Sequence, residues 1–292
     1  MSTGYDTNNV TITAVIPAYN SGEHIGRAIE SVLKQSYHPD EIIVVDNNST
    51  DNTAEVIKGF GEKVRYLFEG KKGASAARNT GIKAAESEWI AFLDADDEWL
   101  ENKLEIQHRL LQKNPQLAWA TGNYIDCLCE ENKTAPAYTS RMCRKITRQK
   151  EYIADYLSAL ASSFLGCTDT KIIKKKALLE TGLFDEELPM ANDIDMWLKI
   201  AYKYPAIGFS PEPLAIYHLS TPASIVKTYR DDFSTADFVF RHCDLARQNN
   251  RLEQFRPVAE KLLRRHFRSM LFADGAKQVR AMAVRCKHLL PH

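Results

Sequence analysis

The sequence predicts an α/β fold: a mixed, mainly parallel sheet flanked by helices, with a helical extension at the C-terminus. Three observations carry this prediction. Short β-branched runs recur through the first third of the chain: "ITAVI" (12–16), "EIIVVD" (41–46), "VRYLF" (64–68) and "WIAFL" (89–93). Helical or turn-forming segments separate them, and every run ends in polar residues. Strands that alternate with helices read as βαβ units. Parallel strands are covered on both faces, so they need apolar residues at nearly every position.

Each element has its own local reason. The first run is closed by Pro17. "NSGE" follows, with Asn20 and Glu23 at the spacing of a capping box. Ile25, Ile29, Val32 and Leu33 then keep the helical period on one face. After the second run, "NNSTDNTAEVIKGF" is a set of turn residues leading into a helix. After the third, "GASAARNTGIKAAESE" (73–88) is an Ala-rich helix. The fourth run leads into "DADDE", and a helix is expected from about Trp99, with Asp97 and Glu98 as its N-cap and first-turn acids.

In such sheets ligands gather beyond the carboxyl ends of the strands. Tyr19–Asn20, Asp46–Asn48, Glu69–Gly70 and Asp94–Asp97 all fall there, so four polar groups converge on one edge. Asp94, Asp96, Asp97 and Glu98 place four carboxylates within five residues. Close carboxylates repel and raise one another's pKa unless a cation sits among them. The glycine loops that cradle phosphates, G-x-G-x-x-G after the first strand and G-x-x-x-x-G-K-[ST] anywhere, are missing. A hard divalent cation held by the aspartates does the equivalent work, since it favours carboxylates plus phosphate oxygens.

Bulk composition excludes other classes. The chain has 292 residues, 38 basic and 38 acidic, so no global charge calls for nucleic acid. From Arg251 onward, however, ten Lys or Arg face three Asp or Glu. Six cysteines show no C-x-x-C pair and read as free thiols in a reducing cytoplasm. The polar start "MSTGYDTNNV" has no signal-peptide pattern, and no apolar run is long enough to span a bilayer, so a cytoplasmic location is expected.

"AVIPAYN", "IIVVDNNSTDNT", "GASAARNTGI" and "AFLDADDEW" together resemble, in order and spacing, family 2 of the inverting glycosyltransferases with the GT-A (Rossmann-like) fold. The resemblance resumes at "TGLFDEELPMANDIDMWLKIA" (181–201) and "PEPLAIYHLS" (211–220). It implies transfer of a sugar from a UDP- or dTDP-linked donor to an acceptor hydroxyl, with Mg²⁺ or Mn²⁺ as cofactor. The acceptor it implies is a saccharide or lipid-linked saccharide, in bacterial polysaccharide or glycoconjugate assembly. Pro17, Ala18 and Tyr19 match the wall against the nucleotide base, and Asp46 the carboxylate that meets a pyrimidine N–H. Arg78 matches a basic group near base and phosphates, with Asn79 as a weaker candidate. Asp94 and Asp96 match the D-x-D element, Asp96 as direct metal ligand and Asp94 toward the ribose or a metal-bound water.

The second acidic element is "NDID" (192–195). Where relatives show Glu-Asp, this chain has Asn192 and Asp193, so the resemblance implies Asp193 as general base with Asp195 as the fallback. In "YHLS", His218 takes the place of an Arg and Ser220 that of a His; His218 is a possible metal ligand or a structural side chain. No "QxxRW"-like element is present, which argues against a processive synthase.

The motifs stop near residue 220, so two units are expected, a catalytic domain at 1–220 and a basic helical extension at 221–292. In the extension Val258, Leu262, Leu263, Phe267, Met270 and Leu271 form an apolar stripe among Arg264, Arg265 and Arg268. A stripe of this kind is first a packing face; peripheral contact with an anionic membrane or with a second copy are its other readings. Two other functions remain open at this level: a silent nucleotide-sugar-binding module and a sugar nucleotidyltransferase.

Overall fold

The structure, a computed structural model, describes residues 10–128, 133–148, 150–162, 164, 166–188, 190–219 and 235–273, with side chains described up to 264. Expectations for the N-terminal nine residues, Cys129, Ser220, Cys286, the helix after 273 and the side chains of Arg265, Phe267, Arg268, Met270 and Leu271 fall outside that description.

The parallel half forms as the pattern predicts. β1 (Ile12–Ala18), β2 (Glu41–Asp46), β3 (Arg65–Phe68) and β4 (Trp89–Phe92) lie in the order β3-β2-β1-β4, all parallel. They are joined through α1 (Ile25–Leu33), α2 (Thr53–Lys58) and α3 (Ala74–Ala84). The register sets Ala18 beside Asp46 and Asp46 beside Phe68, which lines up their carboxyl ends. Gly81 of α3 sits where a Cβ would come 2.5 Å from Val15 Cγ1, so a side chain there would push the helix off β1.

Beyond β4 the sheet becomes mixed. The chain adds β5 (Glu98–Trp99), α4 (Lys103–Lys113), β6 (Trp119–Leu128), β7 (Lys133–Pro136), α5 (Ser140–Thr147), β8 (Tyr152–Ile153) and α6 (Tyr156–Ala161). It continues through β9 (Ile172–Lys174), α7 (Lys175–Glu180), α8 (Asn192–Lys203), β10 (Ile207–His218), α9 (Thr235–Gln248) and α10 (Leu252–Ala273). The full order is β3-β2-β1-β4-β9-β6-β10-β5, with β7 on β6 and β8 on β10. β9 is antiparallel to both β4 and β6, whereas β6 and β10 are parallel.

Two local expectations are corrected. The helix expected at Trp99 starts at Lys103 behind Asn102, because Glu98–Trp99 pairs antiparallel with Ala215–Ile216 of β10. The chain reverses before that strand, where the Asp97 N–H donates to the Asp94 carbonyl at 3.1 Å. The Asn20–Glu23 capping box does not form. α1 starts at Ile25 with no side-chain cap, and Asn20, at φ 46°, accepts the Thr50 N–H instead. A third difference concerns thiols. Cys143, Cys167 and Cys243 are free, but Cys127 is disulfide-bonded.

Apolar residues gather on both sides of the sheet. One side joins α1 and α4 to β1 and β4 through Ile25, Ile29, Leu104 and Leu111. The other joins α3, α6 and α8 with the C-terminal helices: Phe238, Val239, Phe255, Val258 and Leu263 share a cluster with Leu157, Trp197 and Tyr202. Within its described part, the stripe of the extension is therefore a packing face. No helix among the described residues is long and apolar enough to cross a membrane.

Candidate active site

The site begins at the carboxyl ends of β1 and β2. Ala18 is buried, Pro17 half-buried and Tyr19 53% exposed, so Tyr19 is not core filling. Asp46 is buried at the end of β2. Its Oδ1 accepts the Ser49 N–H and its Oδ2 the Tyr66 hydroxyl, each at 3.0 Å. Burial and this carboxylate push the Tyr66 hydroxyl up to about 12. Asn47, which the sequence did not single out, holds the next loop. Its Nδ2 donates to the carbonyls of Glu69 and Lys71, and its Oδ1 accepts the Gly73 N–H at 2.7 Å, at the start of α3.

Arg78 projects from α3 into the acidic end of β4. Its Nη2 donates to Asp94 Oδ1 at 2.6 Å, its guanidinium lies 5.5 Å from the Phe184 ring centroid, and its buried Nε has no hydrogen-bond partner among the described residues. Asn79 turns the other way. It brackets Phe184, accepting its N–H and donating to its carbonyl, and also reaches Glu186, so it secures the 184–186 loop.

Three carboxylates meet below Arg78. The Asp94 N–H donates to Asp169 Oδ1 at 2.8 Å, and the His218 N–H to Asp97 Oδ1 at 2.7 Å. One oxygen from each of Asp94, Asp97 and Asp169 lies within 4.8 Å of the others. Asp97 is 1% exposed, and among the described residues no N–H or hydroxyl donates to its buried Oδ2. Burial and the charge of Asp169 push the Asp97 carboxyl up to about 11, while burial and Asp94 raise Asp169 to about 6. Like charges this close ionise together only with a cation among them. The oxygen donors and the orphaned Asp97 oxygen fit a hard divalent ion.

Two buried lysines flank this corner. Lys103 donates to Gln107 Oε1 at 2.8 Å and stands 4.0 Å from the Trp99 ring centroid; burial pulls it down to about 7. Gln107 in turn donates to the Thr170 carbonyl, which ties α4 to the turn carrying Asp169. Lys171 donates to Thr121 Oγ1 at 3.2 Å, and burial lowers it to about 8. Cys167 Sγ donates to Asp169 Oδ2 at 2.7 Å.

At the start of α8, after Ala191 in the left-handed region at φ 59°, Asp193 stands half-buried and accepts the Ile194 N–H at 2.7 Å. Burial raises its carboxyl; that hydrogen bond and the charges of Arg78 and Lys171 oppose the rise. Asp195 is fully engaged elsewhere. It is buried against Arg241 (2.6 Å), Lys199 (3.0 Å) and His242 (3.1 Å), and His242 and Lys199 hold its carboxyl below the ordinary range despite burial.

The parts and their order along the chain are matched by known proteins. Residues 13–178 match the profile of the family described as Glycosyl transferase family 2. The chain belongs to that family. An uncharacterised glycosyltransferase of Rickettsia prowazekii is 31% identical over 70% of this chain and 62% of its own length. The UDP-Glc:alpha-D-GlcNAc-diphosphoundecaprenol beta-1,3-glucosyltransferase WfgD of Escherichia coli is 42% identical over 39% of this chain and 45% of its own. The chain thus spans less than two thirds of the length of these relatives. The crystal structure of S. aureus TarS in complex with UDP-GlcNAc aligns with a TM-score of 0.72 at 19% identity, over 93% of this chain and 78% of that one. The shared architecture is the GT-A fold.

In this family 2 chain the structure sets further residues beside those the sequence singled out. Asp97 and Asp169, not Asp96, complete the carboxylate cluster with Asp94. Asp96 is half-buried on the same turn, and its carbonyl accepts Arg27 Nη2 at 2.6 Å. The His218 ring meets Glu98 Oε1 through Nε2 at 2.9 Å, and Glu98 also pairs with Arg27. Asp169 had no local signal in "CTDTK"; only the antiparallel β9 brings it beneath β4. Lys103 and Lys171 were hidden for the same reason, as isolated lysines in ordinary sequence.

Proposed function

We propose that this chain is an inverting glycosyltransferase that moves a sugar from a UDP- or dTDP-sugar to a hydroxyl of a saccharide or lipid-linked saccharide. The observation that carries it is the Asp94–Asp97–Asp169 cluster at the carboxyl end of β4, beside Arg78 and in the electrostatic range of Asp193. The matches to WfgD, named for a UDP-glucose donor and a diphosphoundecaprenol-linked acceptor, and to TarS with UDP-GlcNAc support the donor and acceptor classes.

Asp94, Asp97 and Asp169 would hold Mg²⁺ or Mn²⁺, with Asp96 of the same turn sharing in it; His218, whose Nε2 meets Glu98, is assigned the structural role. A divalent cation at such a site neutralises the charge that develops on a departing diphosphate. The chain's own groups do the rest. Pro17, Ala18 and the exposed Tyr19 form the side on which the base lies, and Asp46 presents the carboxylate for its N–H. Arg78, with its unpartnered Nε, adds fixed positive charge that needs no reorganisation as negative charge grows. Asp193 takes the acceptor proton as the hydroxyl attacks. Its raised pKa makes it a stronger base than a surface carboxylate. The resemblance to the inverting members of the family supports a single displacement that inverts the anomeric centre.

The test is a panel of nucleotide sugars, scored first for Mn²⁺-dependent thermal stabilisation and then for turnover on a diphosphoundecaprenol-linked N-acetylglucosamine acceptor. Stabilisation by a UDP- or dTDP-sugar with release of the nucleoside diphosphate is expected. Binding without transfer would mark a silent binding module instead.

A further inference from the structure

The parallel pair β6 and β10 carries a second feature beside the acidic corner. Their register sets Tyr217 next to Asp126. Strand alternation then puts Tyr124, Asp126 and Leu128 on one face, with Tyr217 and Leu219 on the same side. Tyr217, Leu219 and Leu128 are 37%, 47% and 38% exposed, while Tyr124 and Asp126 are half-buried. The Tyr217 and Tyr124 rings meet edge to face, 6.3 Å between centroids at 84°, and Tyr124 is backed in the same way by Tyr138 at 6.0 Å. The Tyr217 ring is thus held at a set angle and stays partly exposed. Among the described residues no N–H or O–H donates to the Asp126 carboxylate. The strip adjoins the acidic corner directly, because His218, the next residue after Tyr217, donates its N–H to Asp97.

Resting on the glycosyl-transfer function above, we propose that Tyr217 and Asp126 form the acceptor subsite, the ring of Tyr217 taking the C–H face of a pyranose and Asp126 accepting from its hydroxyls. A pyranose has an apolar face and a rim of donors, and this strip offers an apolar ring beside a charged acceptor. Hydrogen bonds from hydroxyls to a carboxylate are the stronger, charge-assisted kind. An apolar helix laid on the strip would bury Asp126 without a donor, which is costly. A second nucleotide is disfavoured because its phosphates would stand against the Asp126 carboxylate of the strip itself. A neutral sugar meets neither objection, and on this strip it would lie beside the acidic corner.

The experiment uses the full chain with Mn²⁺ and UDP. Saturation-transfer NMR is recorded with methyl α-N-acetylglucosaminide, methyl α-glucoside and methyl α-galactoside, and UDP affinity is measured by calorimetry. Wild type is expected to saturate the C–H protons of at least one glycoside. Tyr217→Ala and Asp126→Asn should weaken that glycoside about fivefold to tenfold and leave UDP affinity unchanged. Tyr217→Phe, which keeps the ring, should bind as wild type; together with Asp126→Asn it carries the test if the Ala variant does not fold. Wild-type glycoside affinity in both Tyr217→Ala and Asp126→Asn, or no glycoside bound by a wild type that binds UDP, overturns the subsite. A wild type that fails to bind UDP overturns the function above instead, and the glycoside arm still reads the subsite separately.

Discussion

Arg241 on α9 donates through Nη2 to Asp195 on α8 at 2.6 Å, and through Nη1 to Asp185 at 2.5 Å. One guanidinium outside every recognised motif thus ties α8, which carries Asp193 in its first turn, to the loop that Asn79 holds from the other side. Asp195 is buried, so its charge is tolerated only because Arg241, Lys199 and His242 surround it.

Arg241→Gln should therefore destabilise the fold by about 3 kcal/mol, the usual cost of leaving a buried charge short of its partner. Urea denaturation measures it as a lower midpoint at unchanged slope. A midpoint equal to wild type would show that Lys199 and His242 suffice.

Asp193→Asn should keep UDP affinity and lose transfer by about 10²–10⁴-fold, the range expected for loss of a general base. In the wild type the carboxyl is raised by burial, so the acid limb of the rate profile should lie above the ordinary carboxylate range. The base must be ionised, so rate falls as pH falls through that value. A limb unmoved in Asp193→Asn would assign it to another group.

Asp97→Asn and Asp169→Asn should abolish Mn²⁺ binding in a calorimetric titration, with Asp96→Ala as the direct comparison. If Asp96→Ala alone loses the ion, the cluster is not the ligand set.

The same corner sets a pH dependence in chelator. Asp169 is raised from the ordinary range to about 6, so the native state binds this proton more tightly than the unfolded chain. Its contribution is most favourable below the unfolded value and is lost as pH rises through about 6. Without metal, Asp169→Asn should then gain in Tm over wild type as pH rises across that window, and the two should converge in acid. Parallel Tm curves would contradict it.

Phe255→Ala should cost about 3–5 kcal/mol, as for other large aromatic truncations in a core, because Phe255 of α10 is fully buried in the cluster that contains Trp197 and Tyr202. If α10 were a loosely attached tail, the urea midpoint would hardly move.

Much of the fold was legible because its signals are local. Buried parallel strands need continuous apolar runs, so β1, β2 and β4 stand out by composition, the edge strand β3 by its β-forming residues, and α8 by the period of Met196, Trp197, Ile200 and Ala201. The carboxyl-end positions of Asp46 and Asp94 follow from strand ends alone. By contrast, the expected helix at Trp99 failed because β10 supplied a ladder partner for Glu98–Trp99 from more than a hundred residues away, and local propensity carries no trace of that.

What the chain determined by itself was the alternation of elements, the edge on which the acids gather and the helix that carries Asp193 in its first turn. Tertiary structure alone chose which acids share the corner: Asp169 reaches Asp94 across 75 residues and His218 reaches Asp97 across 121. The physical reason is that apolar periodicity acts between neighbours, whereas a buried charge finds its partners through the sheet order, and that order places β9 and β10 where no spacing rule would.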